Sequence, residues 1–155
     1  METIDEVLHE VPLFHDLRRS ELELLAGCAQ NVRFHEGEML FREGTPAERF
    51  YVIRHGKVGL ETFVPAGGQV TIETLEEGEV VGWSWLFPPY RWHFDARALS
   101  LVRATAFDGE CLRLKYAADA VLGYDLMSRF AQVLIQRLQW TRYRLLDLYG
   151  NDRTG

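Results

Sequence analysis

Apolar and polar positions change rhythm twice along this chain, from helical spacing to strict alternation and back. Up to residue 30 the spacing is helical: Ile4, Val7 and Leu8 open it, Pro12 breaks it, and Leu22, Leu24, Leu25 and Ala29 resume it. Ser20 is placed to cap this second helix, and Glu23, three residues on, completes a capping box. From Asn31 the period is two. Short strands are predicted over 32–34, 39–42, 50–54, 58–63 and 70–75, separated by Gly37, Gly44-Thr45-Pro46, His55-Gly56 and Ala66-Gly67-Gly68. Strands this short, with a glycine turn every ~8–12 residues, predict a sandwich or small barrel. No strand–helix–strand rhythm is present, which excludes a Rossmann sheet. Residues 96–99, 102–107 and 112–114 read as closing strands.

From 117 to 149 the pattern is helical again. Met127, Ala131, Leu134, Leu138, Thr141, Leu145 and Leu148 alternate steps of four and three, which is an a/d seam. Phe130, Val133 and Trp140 form a second stripe beside it. At ~1.5 Å per residue such a helix is roughly 50 Å long, longer than a small domain is wide. One stripe is expected to pack on the barrel, and the other to meet a second copy of the chain.

The run of strands is interrupted by 78–98, a loop holding Trp83, Trp85 and Trp92, two adjacent prolines, Arg91 and Arg97. Gly82 permits a sharp turn, Ser84 is placed to cap a short helix ending before Pro88, and the free N–H groups of such a turn suit an anion. Arg91 is the nearby phosphate partner. The structural alternative is an aromatic plug at one end of the barrel.

Composition narrows the function. The chain has 155 residues, is 47% hydrophobic and carries a net charge of −6, so it is sized for one domain, with no general attraction to nucleic acid or anionic membrane. The charge is uneven: residues 1–30 hold seven acids against Arg18 and Arg19, whereas 129–153 hold five arginines against Asp147 and Asp152. No signal-type apolar run or membrane-length span occurs, and a cytoplasmic protein is expected. Cys28 and Cys111 have no metal-type spacing and are expected to be core thiols in a reducing compartment. The five histidines make no metal-spaced pair, and no nucleophile–base motif or phosphate-binding glycine loop appears, so neither metal nor catalysis is expected.

The stretches Gly37-Glu38-Met39-Leu40-Phe41-Arg42-Glu43-Gly44-Thr45-Pro46-Ala47 and Phe50-Tyr51-Val52-Ile53-Arg54-His55-Gly56-Lys57-Val58 resemble the G-x-x-L-F-x-x-G-[DT]-x-A and F-Y-x-I-x-x-G-x-V motifs of the cyclic nucleotide-binding domain family. Arg137-Leu138-Gln139-Trp140-Thr141 is similar to the start of that family's dimer helix. The resemblance implies an α+β domain over 1–155. N-terminal helices (1–30) would precede a β-roll, or double-stranded β-helix jelly roll (31–115), with its ligand loop at 78–98, and a long dimerisation helix (117–149) would follow. It departs in the loop. The family's glutamate, which bonds the ribose 2′-hydroxyl, falls at Trp83, a small alanine falls at Trp85, and the arginine that pairs with the cyclic phosphate falls at Trp92; Arg91 sits one place early, where proline is expected. Two charge-assisted hydrogen bonds at ~1.5–3 kcal/mol each are thereby lost. A micromolar ligand would weaken to about 0.2 mM or beyond.

The expected function is therefore a stand-alone small-ligand sensor or regulatory module, not an enzyme, that signals through its C-terminal helix. Its ligand site would be built from Gly82, Trp83, Ser84, Trp85, Arg91 and Trp92, with Thr141 and Arg142 closing over the far side by analogy with the family's base contacts. A cyclic nucleotide is expected to bind weakly or not at all, and no cofactor is named; some members of the wider family bind haem, for which His93 would be the residue to watch. The chain stops at Gly155, where DNA-binding members continue into a helix-turn-helix domain, so neither DNA nor membrane is an expected partner. A homodimer is expected, with a further protein partner open. The alternative is a ligand-silent dimeric interaction module of the same fold.

Overall fold

The computed structural model describes residues 11–154, with side chains to Leu148, so the predicted Ile4–Val7–Leu8 start lies outside the described residues. Pro12–Phe14 forms one 3-10 turn, and helix α1 spans Arg19–Ala26. Eight strands follow: β1 (Ala29–Phe34), β2 (Met39–Phe41), β3 (Arg49–His55), β4 (Val58–Val64), β5 (Gly68–Leu75), β6 (Val80–Val81), β7 (Asp95–Ala98) and β8 (Val102–Asp108). They pair antiparallel into two four-stranded sheets, ordered β1-β8-β3-β6 and β2-β7-β4-β5. Helix α2 (Gly109–Ala118) and helix α3 (Ala120–Thr154) complete the chain.

Alternation explains the two cores. Along β3, Tyr51 and Ile53 join Val58, Leu75 and Val102 between the sheets, whereas Phe50 and Val52 point outward beneath the helices with Phe14, Leu25, Phe107 and Phe130. Alanines at 96, 98, 104 and 106 line the roll interior, where two sheets in contact leave no room for larger side chains. The predicted β-roll and its strand series are present.

Four local expectations are corrected. Residues 112–114 belong to α2 instead of a closing strand, because Asp108 caps a helix there by accepting from the Cys111 amide at 2.9 Å. The single helix over 117–149 is two: Asp119 ends α2 and opens α3, its carboxylate accepting from the Val121 and Leu122 amides at 3.1 Å each. Ser20 lies inside α1, whose N-cap position is Arg18 with no side-chain cap. Trp83, not Ser84, occupies the N-cap position of the short turn in the loop, again without a side-chain cap. A fifth correction concerns chemistry. Cys28 and Cys111 are not free thiols but a disulfide joining the start of β1 to the first turn of α2 across 83 residues of sequence.

The two halves of α3 differ. Leu122, Leu126 and Phe130, four residues apart, are buried on the fold, and Arg129 clamps the N-terminal segment by donating to the carbonyls of Leu13 (3.0 Å) and His15. Beyond it, Ile135, Leu138, Trp140, Leu145 and Leu148 are each at least 50% exposed. Among the described residues these apolar side chains have no packed cover.

Candidate functional site

The loop after β6 opens at Gly82, whose φ of +96° is a conformation that a side chain would strain. Trp92 lies directly over it: a Cβ built on Gly82 would stand 2.6 Å from the indole ring. Trp92 is buried and stacks on Phe41 with centroids 3.7 Å apart. Two backbone bonds hold it there, Trp92 N–H to the Thr45 carbonyl (3.1 Å) and Gly44 N–H to the Trp92 carbonyl (2.8 Å). The cradle that a glycine turn would offer an anion is thus filled by an indole. Only about 30 Å³ remains there, beside Trp83, Ser84 and Phe94, roughly one water's share of liquid volume.

In the adjoining space, which shares Trp83, Leu60 and Phe94 with the cradle, the picture reverses. A cleft of about 780 Å³ opens between β5, the β5–β6 connection and the second half of α3. Arg137 reaches from α3 over the Trp83 ring, 4.9 Å from its centroid, and donates to the Val80 carbonyl. Its Nη1 is buried without a partner among the described residues. Burial pulls this guanidinium below the ordinary arginine value, and Glu73 and Glu79 oppose that pull. Arg144 donates to the Ile72 carbonyl at 3.0 Å. Around the cleft four glutamates, at 73, 76, 77 and 79, stand against these two arginines. Its field therefore disfavours an anionic ligand.

The eight sequence-predicted residues divide accordingly. Gly82, Trp83, Ser84 and Trp92 come together at the cradle, and Trp83 and Thr141 share the cleft. The Thr141 hydroxyl donates to the Arg137 carbonyl at 2.9 Å, one turn back on its own helix. Trp85 is fully buried, stacked on Phe50 at 4.9 Å and edge-on to Phe130 at 5.5 Å, and faces neither space. Arg91 is exposed and donates to the Gly44 carbonyl at 2.7 Å, and Arg142 is exposed away from the cleft wall. Sequence reasoning passed over Arg137, Glu73, Glu79 and Phe94. Arg137 had a signal: it stands four residues before Thr141 and so shares its helix face.

Among the described residues no group of His, Cys, Asp and Glu side chains is arranged to hold a metal ion, and no helix is long and apolar enough to cross a membrane. A β-roll with a glycine-opened loop facing a long C-terminal helix defines a ligand-sensing regulatory fold. The family model for the cyclic nucleotide-binding domain matches residues 31–119, and the chain belongs to that family. A CRP-like cAMP-activated global transcriptional regulator of Mycobacterium tuberculosis is 29% identical over 152 residues, 98% of this chain. The chain spans 66% of that relative's own length. A cAMP-dependent protein kinase regulatory subunit of Dictyostelium discoideum is 32% identical over 73 residues, covering 47% of this chain and 22% of the relative. A crystal structure from Geobacter metallireducens superposes with a TM-score of 0.79 at 25% identity, over 89% of this chain and 99% of that one. The first two of these relatives are regulators, matching the expected class.

Proposed function

We propose that this chain is a non-catalytic sensor or regulatory domain whose small ligand sits in the cleft between β5 and α3 and moves α3. The observation that carries this reading is the cleft itself: a volume of about 780 Å³ whose far wall is the second half of α3. A ligand there contacts both a fixed sheet and a helix whose second half meets the fold chiefly through Arg137 and Arg144, so it favours one helix position over another. Trp83 and Arg137 are the groups that would meet it. Trp83 offers a ring face, and Arg137 one unpaired donor. A cyclic nucleotide fits poorly, because Trp92 occupies the cradle where its phosphate would lie. The exposed seam on α3 supports pairing with a second copy through that helix.

The test is mass spectrometry of the purified protein, native and then denatured. Wild type should release a small molecule that Trp83→Ala and Arg137→Ala do not carry. The reading fails if wild type carries none and no member of a metabolite panel shifts tryptophan fluorescence. The filled cradle favours one second reading, a ligand-silent dimeric interaction module, and that negative result would select it.

A further inference from the structure

The Cys28–Cys111 disulfide ties together the parts of the molecule that must move if the loop and α3 are to signal. Cys28 lies between α1 and β1, and its carbonyl accepts from the Asp108 amide at 2.9 Å. Cys111 lies in the first turn of α2. That helix grips the loop at two points: Arg113 donates to the Trp85 carbonyl at 2.6 Å and lies 4.4 Å from the centroid of the Tyr90 ring. It also seats α3, since a Cβ on Gly123 would stand 3.1 Å from Tyr116. The only other side-chain bond from α2 to α1 among the described residues is Lys115 Nζ to the Leu24 carbonyl, 2.6 Å. Remove the disulfide, and α2 stays joined to β8 through the chain and keeps its grip on the loop and α3, but its covalent cross-link to the junction of α1 and β1 is gone.

We infer that this pair is a thiol–disulfide exchange site, through which a cellular dithiol sets how firmly α2, the loop and α3 are docked. Cys111 is half-buried and Cys28 only 7% exposed, so the attack is assigned to Cys111, the more accessible residue of the pair. A thiolate of the reductant bonds to Cys111 Sγ, the Cys28–Cys111 bond breaks, and Cys28 leaves as a thiolate that takes up a proton. The reductant's second thiol then attacks the mixed disulfide and frees Cys111. The chain gains two electrons and two protons, and the reductant leaves as its own disulfide. The site acts on the same helix as the cleft but does not depend on what the cleft binds.

The experiment uses the full chain purified without reductant. Thiol titration in denaturant should find no free thiol until a phosphine reductant is added, and two afterwards. Hydrogen exchange of the native protein is then followed in both states. Reduction should speed exchange in 83–92, α2 and the first turns of α3 by roughly tenfold or more, and leave the β4–β5 hairpin unchanged. Re-oxidation should restore the slow rates. The Cys28→Ser/Cys111→Ser double variant should exchange like the reduced protein and ignore reductant. Free thiols in the untreated protein would overturn the inference, as would exchange that is unchanged or uniformly faster on reduction. A double variant that does not fold would overturn it too, because the dithiol state has to be a folded one.

Discussion

Trp83, with Leu60 and Phe94, lines two adjoining spaces, a small one of about 30 Å³ and a larger one of about 780 Å³. On the smaller side Trp92 is stacked on Phe41 over Gly82, and behind the loop Trp85 is packed between Phe50 and Phe130. On the larger side the sheet ends in exposed Ile72 and a run of glutamates, and the second half of α3 stands clear of the core. The same chain thus closes the anion cradle and leaves a cleft beside it open. Aromatic side chains can supply stability or a ligand surface, and which they supply depends on whether a second ring or a solvent-filled space lies opposite.

The largest effect should come from breaking the closed side. Trp92→Ala removes a buried indole and its stack on Phe41, and should cost about 3–5 kcal/mol in chemical denaturation. A loss under about 1 kcal/mol would mean that the cradle is not packed as described. On the open side the effect should fall on assembly instead. Wild type should scatter light at about twice 17.9 kDa, and Leu138→Glu should return it to the single-chain mass with stability changed by about 0.5 kcal/mol or less, since the side chain is half exposed within one chain. A monomeric wild type would leave the exposed seam without its assigned partner.

The smallest effect concerns how the closed side is anchored. Glu21 of α1 has its carboxyl held above the ordinary carboxylate value of 4.5, chiefly by burial and then by Asp125 of α3, with Arg18 and Arg129 opposing. Above pH 4.5 and up to the raised value the folded chain therefore binds more protons than the unfolded one, and stability falls as pH rises through that window. Glu21→Gln should flatten this slope. An unchanged pH profile would show that the carboxyl is not held in this way.

The β-roll was legible because period-two runs punctuated by glycine turns leave few other architectures, and the two stripes of α3 followed from helical spacing. The split at Asp119 was not. It is embedded in Ala117-Ala118-Asp119-Ala120, where strong helix formers hide a cap until the chain direction is known. Residues 112–114 alternate too briefly to distinguish strand from helix. The disulfide joins positions that only the pairing of β1 with β8 and the fold of α2 bring together. Within the loop, sequence placed three tryptophans at a candidate site without saying that Trp85 turns into the core while Trp83 faces the cleft. Opposite directions for residues two apart follow from the tight turn at 84–86, and the choice between them is set by Phe50 and Phe130, which come from distant parts of the chain.

The most direct measurement is a calorimetric titration of the oxidised, ligand-free protein with cyclic AMP at physiological salt. With Trp92 packed over Gly82 in the cradle, the dissociation constant should be weaker than about 0.1 mM. A saturable constant tighter than that would show that the cradle opens to the cyclic phosphate, and would contradict the division of this site into a closed and an open side.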